Sequence, residues 1–433
     1  MAPEKRIRRA LTEPAYGLAA LRIVVVAMLL ITPELRQAPA LAAAPERLVA
    51  APEGLGWLAD FQFSPTLVSG MRLLAYSAGA CALLGYWSRL SCAVLALAAT
   101  FLLSFAERVG ATLHAMHMLW LLALLAASRS GDVWSLDAWG RAVPAPSITY
   151  GVPLCAARAL LGVVYFFPGL HKLLSGGLEW GSAANVTAIM YGKWFQHGRL
   201  PELRIDHYPV LLALGGLGVL MFELSFIVLA LLPKTRVVAL GLGLAFHLST
   251  RLFFFIDFPS LWGCYVVLLP WQCWLGRRTP AAREPVANWP RASLVVGGAL
   301  LLATAVQGAR GQTQAYPFAC YPTFEGLMQP VAPDLVVELV APDGHATRLE
   351  RDFGRYRTQQ QWGTVYWLLG AYGHLPGDAP LRAFAREQAQ LRGGQQELDR
   401  AQSMRLLAAD YSTRPEDWGK PPLGTRVLRE LPP

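Results

Sequence analysis

Lys172 stands where an apolar helix meets polar chain. The stretch Tyr165-Phe-Phe-Pro-Gly-Leu-His171-Lys172-Leu-Leu-Ser-Gly-Gly-Leu-Glu-Trp180 carries an apolar helix, roughly Pro153 to Leu170, into a cationic pair, glycines and a tryptophan. Two chemistries fit a lysine there. It can anchor a span, with its stem in lipid and its ammonium among headgroups. It can also serve as a base, because an amine drawn out of water gives up its proton more readily. Other polar residues interrupt apolar runs. His114 and His117 in His-Ala-Met-His-Met-Leu-Trp120 are spaced to share a helix face. Metal binding would need carboxylates close by, and hydrogen bonding between helices is the simpler role. Glu223, in Met221-Phe-Glu-Leu-Ser-Phe226, sits mid-span, where a carboxylate must be protonated, paired or turned to a cavity. His247, in Ala245-Phe-His-Leu-Ser-Thr250, is either a further site residue or a structural one. Arg22, Arg72 and Arg158 lie near span ends, where snorkelling accounts for them.

The elements that must position these residues are membrane helices. The 433 residues are 54% hydrophobic and only 15% charged, with a mean hydropathy of +0.35. Soluble chains average about 25% charged residues, so the composition is that of a polytopic membrane protein. The apolar runs predict about nine spans, near Gly17–Ile31, Leu67–Trp87, Leu90–Phe105, Ala111–Ala127, Pro153–Leu170, Pro209–Leu232, Val237–Ser249, Phe258–Trp274 and Ser293–Val306. The net charge of +9 would suit nucleic acid. The basic residues fall between spans, however, and no basic face with interleaved aromatics is present, which argues against nucleic-acid binding. Lys5, Arg6, Arg8, Arg9, Arg89, Arg129, Arg141, Lys234, Arg236, Arg277, Arg278, Arg283 and Arg291 all lie on the N-terminal side of the predicted topology. The positive-inside rule then puts the N-terminus in the cytoplasm and the C-terminus outside a bacterial inner membrane.

A cleaved signal peptide is the competing reading of the N-terminus, since a basic segment, an apolar core and Ala42-Ala43-Ala44 imitate its three parts. Arg22 within the apolar core argues against it. Five of the six cysteines, Cys81, Cys92, Cys155, Cys264 and Cys273, fall in apolar runs and read as small buried hydrophobes, with only Cys320 in the tail. No disulfide framework or zinc pattern can be built from them. Residues 1–310 form the membrane domain in this reading, and residues 311–433 a small α+β extracytoplasmic domain. In the tail, Leu335–Val340 and His345–Leu349 read as two strands joined at Pro342-Asp-Gly344. Gln359–Tyr372, Pro380–Leu391 and Gln395–Ala409 carry helical apolar spacing. Tyr316-Pro-Phe-Ala-Cys-Tyr-Pro-Thr-Phe324 reads as aromatic packing at the membrane exit.

Several motifs, in order, resemble the HTTM superfamily of bacterial membrane proteins, whose best-known relative is the vitamin K-dependent gamma-glutamyl carboxylase. Gly169-Leu-His-Lys-Leu173 followed by Trp180 resembles the family's Gly-Val-Lys-Lys-Leu and downstream Trp, which places Lys172 on the catalytic lysine. Met116-His117-Met-Leu-Trp-Leu-Leu-Ala123 is similar to Asn-His-Ser-Tyr-Leu-Tyr-Gly-Leu, placing His117 on the active-site histidine. Trp134-Ser-Leu-Asp-Ala138 is similar to Trp-Ser-Val-Asp-Gly, Glu223-Leu-Ser to Asp-Leu-Ser, and Phe246-His247 to Phe-His. The resemblance spans roughly Leu18 to Trp274. Met116 stands where the carboxylase has asparagine, His171 replaces the first lysine of the pair, and the tail is much shorter than the carboxylase's.

The resemblance implies an intramembrane enzyme of the lyase and quinol-epoxidase type. Lys172 would deprotonate a reduced quinone of the vitamin K or menaquinol kind, which reacts with oxygen to drive capture of carbon dioxide by a carbanion. His117 would orient the quinol, and His114, His171, Trp180, Glu223 and His247 would bind it or its substrate. The partners implied are membrane lipid or quinone and an extracytoplasmic protein substrate. Two alternatives remain open at this point: a non-catalytic quinone- or lipid-binding protein, and a partner or transport component, because a fold does not fix a function. The topology has a direct check. A reporter fused after Pro433 should be active only outside the cytoplasm, and a cytoplasmic signal would overturn the nine-span arrangement.

Overall fold

The computed structural model describes residues 3–42, 63–108, 113–275, 288–311, 315–320, 324–349 and 394–432, with a few positions between 378 and 389. Its membrane part is helical. After α1 (Pro3–Ala10) come α2 (Tyr16–Leu30), α3 (Pro33–Ala42), α4 (Pro65–Leu84), α5 (Ser88–Arg108), α6 (Met116–Ala126), α7 (Ile148–Gly176), α8 (Ala183–His197), α9 (Pro209–Leu231), α10 (Arg236–Phe254), α11 (Pro259–Gly263), α12 (Trp271–Trp274) and α13 (Arg291–Arg310). Among the described residues six helices are long and apolar enough to cross a membrane: α4, α5, α7 with its continuation to Gly181, α9, α10 and α13. The pair α2 and α3, bent by 40°, makes seven if it counts as one span.

The expected count of nine is therefore not reached by helix length. The expected fourth run forms only the 11-residue α6. At about 1.5 Å per residue it extends roughly 16 Å, about half of a 30 Å hydrocarbon core. The expected eighth run breaks into α11, a 3₁₀ segment Cys264–Leu268 and α12. Pro270 has no N–H to continue a helix between the last two. Most of α6 and of the Cys264–Leu268 segment packs inside the bundle, so other protein rather than lipid satisfies their surroundings, whereas Gln272, Cys273 and Trp274 of α12 are exposed. Lipid-type exposure falls elsewhere, on Val210, Leu214 and Met221 of α9, Val237 and Leu248 of α10, and Val295 and Leu302 of α13.

Helix α7 is the centre of the bundle. Ser147 caps it, accepting the Thr149 N–H at 3.3 Å. One face repeats Gly162, Tyr165, Gly169 and Lys172, spaced at three, four and three residues. A Cβ on Gly162 would lie 2.5 Å from the Ile227 side chain, and one on Gly169 would lie 2.7 Å from Glu223 Cβ. The two glycines thus let α9 close on α7, as small residues do between membrane helices. On another side, Gly308 of α13 would collide with Phe167 at 2.1 Å if it carried a Cβ.

Two of the three arginines expected to snorkel are instead fully buried. Arg22 is 0% exposed; its Nη1 donates to Ser88 Oγ at 3.2 Å and its Nη2 to the Trp134 carbonyl at 2.5 Å. Asp137 completes this knot by accepting the backbone N–H groups of Trp87 and Ser88, both at 2.8 Å, and the Ser88 hydroxyl at 2.7 Å. Partial burial pushes the Asp137 carboxyl up, but the Ser88 and Trp87 donors outweigh it and hold the group below its ordinary value. Gly85, at φ 67°, passes so close to Arg22 that a Cβ would sit 1.9 Å from Nη1. Arg158, 1% exposed, pairs with Glu13 Oε1 at 3.1 Å, and Arg236 pairs with the same oxygen at 2.6 Å. Arg72 donates to the Arg36 carbonyl at 3.0 Å. The physical reason is that buried guanidinium groups gain fixed acceptors here, which removes the need to reach water. The cysteines also differ in part from expectation: Cys92 and Cys264 are buried, but Cys273 is exposed and Cys81 and Cys155 are half-buried.

The tail forms a four-stranded antiparallel sheet, order β2-β1-β3-β4, from β1 (Val331–Val340), β2 (Ala346–Leu349), β3 (Ser403–Ser412) and β4 (Gly424–Leu431). The expected first hairpin is present, with Gly344 at φ 82° in its turn. The expected helix Gln395–Ala409 is corrected: only Gln395–Arg400 (α14) is helical, and the rest enters β3. Leu406 and Leu407 are both buried, which breaks the two-residue alternation of a strand, so Met404, Leu407 and Tyr411 recur at three and four, mimicking a helix. The expected helix Gln359–Tyr372 lies outside the described residues, and Pro380–Leu391 does so for the most part.

Glu13 gives this architecture a test. Glu13→Ala leaves Arg158 buried without its counter-charge, and loss of a buried partner costs about 3–5 kcal/mol. Chemical denaturation in detergent should show that loss, whereas Glu4→Ala at an exposed pair with Arg8 should leave the midpoint unchanged. Equal midpoints for all three proteins would deny the Glu13 cluster a structural role.

Candidate functional site

The close approach of α7 and α9 brings Lys172 against Glu223. Lys172 Nζ donates to Glu223 Oε1 at 2.5 Å, and both side chains are about 5% exposed. The indole ring of Trp180, in the 3₁₀ turn Gly177–Gly181 that follows α7, lies with its centroid 4.8 Å from Nζ. A cation over an indole face is attracted by the ring quadrupole. Trp180 is itself fixed, donating its Nε1 hydrogen to the Phe324 carbonyl at 2.6 Å. Lys172 is therefore not directed to headgroups.

These residues form one wall of an apolar cavity of about 200 Å³ between α8, α9 and α10. Val186, Ile189 and Met190 of α8, Gly215 and Val219 of α9, and Phe246, Phe253 and Phe254 of α10 supply most of its surface. Lys172 and Glu223 are its charged members, with Ser249 and Thr250 as lesser polar ones. An apolar cavity with one charged pole suits an apolar molecule with a polar end.

Glu223 also lines a second, smaller chamber of about 60 Å³. Its wall includes His114, Val164, Tyr165, Pro168, Glu223 and His247, and Glu223, Phe246 and Phe258 belong to both spaces. Tyr165 places its hydroxyl 2.7 Å from His247 Nε2 and also against the Tyr265 hydroxyl. Two buried atoms at this chamber's residues have no hydrogen-bond partner, Glu223 Oε2 and His247 Nδ1. Such groups are costly in a low-dielectric interior unless a ligand or water meets them.

The remaining predicted residues sit differently. His117 is in the wall of neither space. Its Nε2 bonds the Ser260 carbonyl at 3.0 Å, which holds α11, whose Leu261 and preceding Phe258 line the chamber, while its Nδ1 is buried without a partner. His114 does not share a helix face with it. The turn before α6 carries His114, which is exposed on the chamber's rim and stacks edge-on against Phe258 at 5.1 Å. His171 turns away from Lys172 and donates Nε2–H to the Gly308 carbonyl at 2.7 Å, joining α7 to α13. Tyr165 and Tyr265 were missed. Tyr165 lies seven residues before Lys172 on the same helical face, a spacing visible in the sequence, whereas nothing local marks Tyr265. Phe324, read as packing, is part of the cavity wall. Among the described residues no group of three His, Cys, Asp or Glu could hold a metal ion.

No curated protein and no solved structure matches the chain. The HTTM domain matches residues 17–271, more than half of the chain, and so takes in Lys172, Glu223, His247 and Tyr265 together. The protein is an integral membrane member of the HTTM domain family.

Proposed function

We propose that this protein is a bacterial inner-membrane enzyme that binds a reduced quinone in the apolar cavity and removes a hydroxyl proton from it with Lys172. The observation that carries the reading is the buried Lys172–Glu223 pair at the charged pole of that cavity, beneath the Trp180 ring. The pair has no net charge, so its proton can rest on the amine or the carboxylate without an unpaired charge in the bilayer. Glu223 can hold the proton while Lys172 presents a neutral amine. Trp180 fixes the amine's position, and the phenylalanines of α10 exclude water around a ring. When bound, the quinol would supply reducing power toward oxygen, coupled to carboxylation or related chemistry. In the proposed topology α7 ends toward the extracytoplasmic side, where the sheet domain lies. A polar groove of about 530 Å³, lined by Glu179, Asn185 and Tyr191 and by Arg414 and Glu416 of the sheet domain, would face a protein substrate there.

A second reading has its own observation. The carboxylate at 2.5 Å closes off the lysine amine, as in a structural ion pair that merely shapes a lipid or quinone site. Two variants separate the readings. Lys172→Arg keeps the cation but cannot deprotonate in the useful range, and Lys172→Ala removes charge and stem alike. With Lys172 as base, both variants should lose quinol consumption and epoxide formation by about 10²-fold or more at matched folded protein. Turnover retained by Lys172→Arg would rule the base out. Wild type that co-purifies with quinone yet turns none over would make the binding protein the better account.

A further inference from the structure

A base that acts repeatedly must discard its proton, and the wall of the larger cavity is mostly apolar, with few groups to pass a proton on. The smaller chamber shares Glu223 with that cavity. Its volume of about 60 Å³ exceeds the roughly 10–15 Å³ that a single water needs. Its polar complement also suits water, which requires two to four partners. Glu223 Oε2 and His247 Nδ1 are buried and unpartnered, on residues 3% and 5% exposed. Pro168 has no N–H to give the Val164 carbonyl one turn earlier, and both residues are in the wall. His114, also in the chamber wall, keeps accessible surface, which makes it the candidate exit from the buried pair.

We propose that this chamber is a water-filled proton outlet: water joins Glu223 to His247 and to His114, and a proton leaves along it for each one taken up at Lys172. The sequence of transfers balances without another reactant. An O–H bond breaks on the substrate and an N–H bond forms at Lys172 Nζ. Glu223, protonated while Lys172 is neutral, gives its own proton to chamber water, from which one is released through His114, and then takes up the proton on Lys172, so that Lys172 returns to its neutral amine. His247, held by Tyr165 and Tyr265, orients the water. His117, one layer behind through Ser260, holds the chamber wall. This role rests on the reading of Lys172 as a base, but the occupancy and connection of the chamber do not.

The test uses the full-length protein in nanodiscs, with hydroxyl-radical footprinting driven by X-ray pulses after rapid mixing into isotopically labelled water. Radicals form from water at the site, so Tyr165, 3% exposed, should be modified far faster than Trp120 and Trp194, which are similarly buried without such a chamber. The isotope should enter Tyr165 quickly in wild type and slowly in His114→Trp, a substitution at an exposed rim that plugs the outlet. Labelling at the rate of the two tryptophans, or isotope entry indifferent to His114→Trp, would overturn the outlet. A kinetic arm addresses the role. In His114→Ala the first-turnover burst of quinol consumption should persist while steady turnover falls about tenfold or more, with rescue by added imidazole. Equal loss of burst and steady rate without rescue would overturn it. A wild type that labels and exchanges as expected but consumes no quinol would remove the base while upholding the water connection.

Discussion

The bundle is organised around one buried contact, the Lys172–Glu223 pair between α7 and α9. Either group alone would place an uncompensated charge at membrane depth, which costs several kcal/mol. The pair is tolerable only if the two helices stand close, and Gly162 and Gly169 permit that distance. The apolar space beside that pair is walled by α8, α9 and α10. Packing requirement and site geometry therefore meet in α7. The helix that must hold the lysine must also present glycines one and three turns before it.

Other buried charges are settled by different means. Arg22, Arg158 and Arg236 find carbonyls, a serine or Glu13, and these contacts tie loops and the N-terminal segment to the bundle. Asp137 fastens the α4–α5 connection with three donors. Those clusters leave only donors unmet, at Arg22 Nε, Arg158 Nη2 and Arg236 Nε. The carboxylate of Glu223 leaves an acceptor instead, since one oxygen is spent on Lys172 and the other has no protein partner. That difference separates a structural ion pair from one that retains a free acceptor for chemistry.

Legibility varied with how local the signal was. Lys172, Trp180 and Tyr165 belong to one stretch, and helical spacing alone relates them. Glu223 and His247 stood out because a polar group within an apolar run demands compensation. Their mutual placement could not be read, and neither could the division into two spaces that share Glu223. His171 illustrates the limit. Adjacent to Lys172 in sequence, it points about 100° around the helix and bonds α13 instead. The span count failed for a related reason. Hydropathy marks α6 and the Phe258–Trp274 run as apolar but does not distinguish burial in protein from exposure to lipid.

Sequence alone determined that the chain inserts in a membrane, that its polar intramembrane residues need partners, that the tail begins with a hairpin, and that the motifs follow the HTTM order. Composition and short-range periodicity carry those properties, because each depends on residues a few positions apart. The tertiary structure decided which charges meet, that Arg22 and Arg158 are interior, that α6 stops short of a full span, and that β3 is a strand despite helical spacing. Those outcomes turn on contacts between residues tens to hundreds of positions apart, such as Lys172 with Glu223 and Arg158 with Glu13, where packing selects among partners that local sequence leaves equivalent.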